Sequence, residues 1–134
     1  MTQRTQLYAM LFISVILLLA QPAIAADPIL VVGKISPIPY DIYLCREKIS
    51  VDNIIEMQQE VGLDVAQDTV NQYAIAGICN THRAVYIQVD SVYYTAMLDI
   101  DGESHSVVVV GVTTGDGEML YGAIPAEDLG LTST

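Results

Sequence analysis

The chain has 134 residues, with 16 Asp or Glu against five Lys or Arg, and its formal net charge is −11. A surface of this kind repels nucleic acids and anionic lipid headgroups, because both carry dense negative charge. The composition therefore argues against nucleic-acid and membrane-surface binding. It favours either a cationic partner or a charge that only keeps the protein soluble.

The N-terminal residues have the organisation of a secretory signal peptide. A short polar start containing Arg4 precedes an apolar run over residues 7–20, and this run is shorter than the roughly 20 apolar residues that a membrane span needs. Ala23 and Ala25 then give the small-x-small pattern that signal peptidase accepts. We expect cleavage after Ala25, or after Ala26 as the alternative, and no membrane association afterwards. The mature protein is then extracytoplasmic, either periplasmic or secreted.

Cleavage after Ala25 leaves about 109 residues, which suffice for one small domain and not for two. Arg4 is lost with the signal peptide, so four basic residues remain against sixteen acidic ones and the net charge becomes −12. Three prolines argue against a helix in residues 26–44. We therefore predict three parts: a signal peptide over residues 1–25, an extended proline-containing arm over residues 26–44, and a single domain over residues 45–134.

Two helices are predicted between the two cysteines. The first begins at a Ser50 cap, carries apolar residues at helical spacing, and ends at Gly62. The second begins where Asp64 and Gln67 resemble a capping box, and it stops near Gly77. We expect the pair to form an antiparallel helical hairpin, with a single helix kinked at Gly62 as the alternative.

Beyond residue 82 the apolar spacing changes from helical to alternating, which is typical of strands. The alternation shifts by one residue near Asp90 and Ser91, and this shift predicts a β-bulge. Two Asp-Gly pairs, at residues 101–102 and 116–117, indicate hairpin turns. Together these signals predict a three-stranded antiparallel β-meander.

Residues 107–110 are four consecutive valines and are apolar on both faces of a strand. We expect this strand to be central in the meander, since a strand buried on both sides reads as a continuous apolar run. The helices would cover one side, and the arm or a partner would cover the other.

Cys45 precedes the first predicted helix and Cys79 follows the second. Two cysteines in an exported protein are most simply a disulfide, and the two ends of a helical hairpin lie close enough for it. A zinc site with His82 and His105 is an alternative, although Cys45 and His105 lack the paired spacing of such sites. A catalytic thiol is a further alternative. The predicted fold class is therefore α+β, with a disulfide-clamped helical hairpin packed on a three-stranded antiparallel meander.

Asp99, Asp101 and Gly102 match three positions of a calcium-binding loop. The positions of the first ligand and of the bidentate acid fall on Met97 and Val108, which cannot serve. A plain hairpin turn is therefore favoured over a weak calcium site. The sequence has no phosphate-binding loop, nucleophile elbow or paired metal-protease histidines, and we expect no enzyme, no metal and no cofactor.

Tyrosines supply all the aromatic surface of the mature chain. Strict alternation predicts that Tyr93 and Tyr94 point to opposite faces of their strand. Tyr86, Tyr93 and Tyr121 form the candidate binding surface, because a tyrosine offers a large apolar ring with a polar tip.

Charge and tyrosines together favour a small acidic binding module that engages a basic protein or peptide, for example as an inhibitor of a cationic hydrolase. The alternative is a self-assembling structural or envelope-associated protein, in which the arm or an open edge strand pairs with a second copy. An enzyme that uses acidic side chains ranks third.

Overall fold

The described residues form one antiparallel sheet, two α-helices and a short 3-10 helix. The structure is a computed structural model that describes residues 29–83, 85–100 and 102–131. The predicted signal peptide, with its cleavage site at Ala25 or Ala26, lies outside the described residues. In chain order the elements are β1 (Ile35–Pro37), β2 (Ile42–Cys45), α1 (Lys48–Glu60), α2 (Leu63–Ile75), β3 (Cys79–His82), β4 (Tyr86–Ile100), β5 (Glu103–Thr114), β6 (Met119–Pro125) and the 3-10 helix (Ala126–Leu129).

The six strands form a single curled sheet in the order β1-β4-β5-β6-β2-β3. Strands β4, β5 and β6 follow one another as an antiparallel meander, with β5 between its two neighbours. Strand β1 extends the sheet beyond β4, while β2 and β3 extend it beyond β6. The sheet therefore has the shape of a half-barrel.

The predicted fold class is wrong in two respects: the sheet has six strands instead of three, and the disulfide joins two strands instead of the ends of a helical hairpin. Strands β1 and β2 have only three and four residues, which is too short for an alternating pattern to be recognised. Their partners are also remote along the chain, as the pairing of Cys45 with Tyr121 shows. Proline excludes a helix but is tolerated on an edge strand, where Pro37 lies.

The predicted disulfide between Cys45 and Cys79 is present, and both residues are buried. The two cysteines lie directly opposite each other in the antiparallel pairing of β2 with β3. The bond bridges a sequence separation of 34 residues, within which both helices lie. A structural disulfide of this kind indicates an oxidising, extracytoplasmic compartment.

The helix boundaries differ slightly from the predicted ones. Helix α1 begins at Lys48, so Ser50 lies inside the helix, where it is buried, and does not cap it. Helix α2 begins at Leu63, and Asp64 lies in its first turn, where its charge still favours the helix N-terminus. Gly62 separates the helices with φ of 125°, a conformation that L-residues with a Cβ rarely adopt.

The sheet is buried on both faces. Helices α1 and α2 cover one face and enclose what we call the helix-side core, which contains Tyr43, Cys45, Val51, Ile54, Ile55, Val70, Cys79, Leu98, Ile100, Val107, Val109 and Ala123. The arm and the 3-10 helix cover the other face and enclose the arm-side core, which contains Leu30, Ile38, Ile42, Leu44, Ile87, Val89, Val108, Val110, Val112, Leu120, Ile124 and Ala126. Strand β5 therefore lies inside the sheet with its valines buried on both sides.

Strand β4 contains two irregularities. Its register with β5 shifts between Val89 and Ser91, where the bulge was predicted, and again between Val92 and Tyr94. The first bulge reverses the alternation of side chains, and the second restores it. Odd-numbered residues therefore face the arm side and even-numbered residues face the helices at both ends of β4. Ile87 and Val89 at its beginning enter the arm-side core, and Leu98 and Ile100 at its end enter the helix-side core.

A buried carboxyl group holds the 3-10 helix against the arm. Asp128 is only 5% exposed, and its Oδ2 accepts a hydrogen bond of 2.8 Å from the Tyr40 hydroxyl. Its backbone oxygen accepts a second bond, of 2.9 Å, from the amide of Leu30. Burial raises the pKa of Asp128 to about 6, with a smaller contribution from the charge of Glu127, although the Tyr40 hydrogen bond opposes the rise.

Removal of the disulfide should weaken the fold without changing its sheet order. The double substitution Cys45→Ala and Cys79→Ala should lower the free energy of unfolding by roughly 2–4 kcal/mol, because the unfolded chain regains the freedom of a loop of about 34 residues. Urea unfolding of the oxidised protein and of the variant measures the difference. Reductant should bring the wild type to the variant's midpoint and leave the variant unaffected. Equal midpoints for the oxidised protein and the variant would contradict a stabilising disulfide between Cys45 and Cys79.

Asp128 should make the protein less stable as the pH rises. Its folded pKa lies above the ordinary Asp value, so between pH 4 and pH 6 the folded state holds a proton that the unfolded state releases. Stability from this group is fully present below pH 4 and is lost by about pH 7, a change on the order of 2–3 kcal/mol.

The substitution Asp128→Asn keeps an acceptor for Tyr40 and removes the titration. The difference between the unfolding free energies of variant and wild type should therefore grow from pH 4 to pH 7, as measured by urea unfolding at several pH values. A difference that does not change with pH would show that the pKa of Asp128 is not raised in the folded protein.

Candidate binding site

The structure brings two of the three predicted surface tyrosines together. The ring centroids of Tyr93 on β4 and Tyr121 on β6 lie 6.2 Å apart, with the ring planes tilted by 41°. Tyr86 lies at the start of β4 opposite Pro37, roughly 20 Å from Tyr93 along the strand. Tyr86 is exposed and lies beside Gly115, in the turn between β5 and β6, so it does not join the pair of Tyr93 and Tyr121.

The second bulge of β4 turns Tyr93 and Tyr94 toward the same partner. Nζ of Lys48, in the first turn of α1, lies 5.3 Å from the Tyr93 ring centroid and 5.2 Å from that of Tyr94. Strict alternation predicted opposite directions for these two rings, and the register shift between Val92 and Tyr94 overrides it. Two adjacent residues of one strand therefore form two walls around one ammonium group.

Gly111 provides the space in which the rings lie. A Cβ atom at this position would come within 3.3 Å of the Tyr93 hydroxyl oxygen and within 3.4 Å of Cε1 of Tyr121. Gly111 pairs with Ser91 on one side and with Tyr121 on the other, so it lies directly beneath the cluster. The absence of a side chain at this glycine lets the two rings approach the sheet.

Asp52 supplies the negative charge of the site. Its Oδ2 lies 2.8 Å from Nζ of Lys48, and its Oδ1 accepts a hydrogen bond from the Tyr94 hydroxyl. Burial raises the pKa of Tyr94, and the hydrogen bond to Asp52 and the charges of Asp52 and Glu56 raise it further. We call this group the tyrosine site; it consists of Lys48, Asp52, Tyr93, Tyr94 and Tyr121.

An acidic stripe begins at the tyrosine site and runs along α1. It consists of Asp52, Glu56 and Glu60, which follow one another at intervals of four residues and therefore share one face of the helix. Glu56 and Glu60 are exposed. Lys48 is the only Lys or Arg in either helix, and Asp52 already neutralises it. The four-residue spacing of these acids can be read from the sequence. It points to a binding surface only once the structure shows that the tyrosines lie beside it.

The remaining predicted ligands do not come together. The disulfide uses both sulfur atoms, so the set of two cysteines and two histidines has no thiolate to offer. His105 Nε2 lies 3.8 Å from Glu103 Oε1, while His82 is paired with Ile42 on the far edge of the sheet. Within the described ranges, no three metal-ligating side chains converge. The calcium site considered at Asp99 and Asp101 stays a prediction, because residue 101 is not described.

In the part of the chain that the structure describes, neither helix is long and apolar enough to cross a bilayer. No protein-family model, curated protein or solved structure matches the chain. The chemistry of the tyrosine site itself is therefore the basis for a function. An aromatic wall next to a carboxylate is suited to hold an ammonium or guanidinium group.

Substitution of Gly111 tests the packing of the cluster. In Gly111→Val the added methyl groups occupy the space of the rings, so the ring resonances of Tyr93 and Tyr121 should shift in carbon–proton spectra, with a loss of stability of about 1–3 kcal/mol. Gly115→Val is the matched control, because a Cβ there lies at an ordinary 3.6 Å from Tyr86. Unshifted Tyr93 and Tyr121 resonances in the Gly111 variant would show that the rings lie elsewhere.

Proposed function

We propose that the protein is a small acidic binding module that engages a basic protein or peptide through the tyrosine site and the acidic stripe. The observation that carries the proposal is the position of Lys48. Its ammonium group lies between two tyrosine rings and a carboxylate, so this surface accommodates a cation. Because Lys48 itself fills that position, a lysine or arginine of a partner would contact the exposed part of the Tyr93 ring.

The surroundings of the site support the same class of partner. Tyr93 is 44% exposed, so a substantial part of its ring is free to contact another molecule. Glu56 and Glu60 have no basic residue beside them on α1, and a partner's cations would meet this uncompensated charge. Tyrosine and carboxylate together provide contact area and electrostatic steering.

The proposed place of action is the periplasm or the extracellular medium. The disulfide supports an oxidising compartment, and the signal peptide predicted from residues 1–25 would deliver the chain there. The proposal assigns binding and not catalysis, and it requires no cofactor or metal. Inhibition of a cationic hydrolase is one form that such binding can take.

Self-assembly was based on an open edge strand and on the outer face of the valine strand; the sheet has open edges, but the valine strand is already covered. It would have used a second copy to cover the outer face of the valine strand, but Leu30, Ile38 and Ile42 of the same chain cover Val108 and Val110. A net charge of −11 also opposes association of identical chains. We therefore prefer the basic partner.

Two exposed tyrosines of the same strand allow a matched test. With fluorescein-labelled decalysine as the probe, Tyr93→Ser should weaken binding at least fivefold, because it removes the exposed ring surface that a lysine of the probe would contact. Tyr86→Ser, which changes a ring outside the site that is 57% exposed against 44% for Tyr93, should leave the affinity unchanged. Fluorescence anisotropy measures both.

The dependence of binding on salt concentration is the second part of this test. Binding should weaken steeply as the ionic strength rises, since exposed charges are screened over a shorter distance. The double substitution Glu56→Gln and Glu60→Gln should reduce this salt dependence. Equal effects of the two tyrosine substitutions, or an affinity independent of salt, would refute the proposal.

A further inference from the structure

The second half of β4 forms an open edge of the sheet. Strand β1 pairs only with the first three residues of β4, Tyr86 to Gln88. Strand β5 occupies the opposite side of β4 as far as Ile100. Among the described residues, no strand pairs with residues 91–100 on the side of β1. An unpaired edge of this length is a template for another extended chain.

The outward backbone groups of this edge can be identified. The backbone oxygen of Met97 accepts a hydrogen bond of 3.0 Å from Nε2 of Gln59, so it points away from β5. The pairing with β5 is regular from Tyr94 to Ile100, and backbone groups in an antiparallel strand alternate in direction. Thr95 and Asp99 therefore present their amide and carbonyl groups to the open edge together with Met97.

The Gln59 side chain occupies the hydrogen-bonding position that a further strand would use. Its side-chain amide, at the end of α1, donates to Met97 in the way that the backbone amide of an added strand would donate. The contact is exposed, and a glutamine side chain can rotate away from it. An incoming strand can therefore replace this hydrogen bond with an equivalent one.

The chemistry of the edge selects a basic strand. Exposed Asp99 lies on the edge, and α1, which carries the acidic stripe, reaches the edge where Gln59 contacts Met97. Val92 and Met97 offer exposed apolar surface on the same edge. A second copy of this chain would bring the same negative charges to the edge, whereas a lysine- or arginine-rich segment would neutralise them.

We propose that an extended, basic segment of a partner adds to β4 as a seventh strand, replacing the Gln59 amide at Met97 while its cations contact the acidic stripe. This inference rests on the proposed function, because it specifies how the basic partner is held. The backbone of the segment supplies affinity along the edge, and its lysines or arginines supply selectivity.

The test uses two peptides with the same charge. One is capped Lys-Val-Lys-Val-Lys-Val-Lys, and the other is the same peptide with its interior amide nitrogens methylated. The unmodified peptide should slow hydrogen exchange at Thr95, Met97 and Asp99 at least tenfold in the oxidised, nitrogen-15-labelled protein. The methylated peptide, which cannot pair as a strand, should bind at least tenfold more weakly.

A glutamine substitution separates the strand mechanism from charge attraction. Gln59→Ala removes the competing amide and should tighten binding of the unmodified peptide severalfold, whereas Gln72→Ala, a matched change at an exposed glutamine of α2, should not. Equal binding of both peptides, with shifts confined to the tyrosine site and the acidic stripe, would overturn strand addition and leave the proposed function standing. Failure of both peptides to bind would overturn both. Protection of the edge amides by protein concentration alone would assign the edge to a second copy and overturn the inference.

Discussion

Burial of strand β5 on both faces is the constraint on which the rest of the structure depends. Val107 and Val109 face the helices, while Val108 and Val110 face the arm. Burying apolar side chains on two faces requires cover on two faces. The chain meets this requirement with two helices on one side and with the arm and the 3-10 helix on the other. The half-barrel is therefore a sheet with a core on each face, and β5 contributes side chains to both cores.

Strand β4 runs beside β5 and serves both cores, and the binding surface follows from the way it does so. Ile87 and Val89 enter the arm-side core and Leu98 and Ile100 enter the helix-side core, with two bulges between them. The second bulge turns the Tyr93 ring toward the same ammonium group as the Tyr94 ring, that of Lys48 on α1. The same strand continues past β1 as an open edge. The tyrosine site, the acidic stripe and the edge thus occupy adjacent parts of one surface.

Local signals made part of this structure predictable. The disulfide, the break at Gly62 and the bulge at Asp90 each depend on residues close to the feature itself or on the compartment. Strands β1 and β2 were missed because their pairing with distant strands, and not their own short sequence, makes them strands. The second bulge was missed because the single bulge predicted near Asp90 and Ser91 would by itself have kept the apolar residues on both sides of it on one face of β4. They belong to opposite faces, and two bulges that cancel leave no net shift in the alternation. The tyrosine site depends on that second bulge, so only its individual tyrosines could be named from sequence.

Nuclear Overhauser contacts of the Lys48 side chain in the oxidised protein test the account most directly. If the second bulge turns Tyr93 as described, the terminal methylene protons of Lys48 should show contacts to the ring protons of both Tyr93 and Tyr94, since both rings lie close to the ammonium group. Contacts to Tyr94 alone, with the Tyr93 ring on the opposite face of β4, would contradict the bulge, the tyrosine site and the function proposed for it.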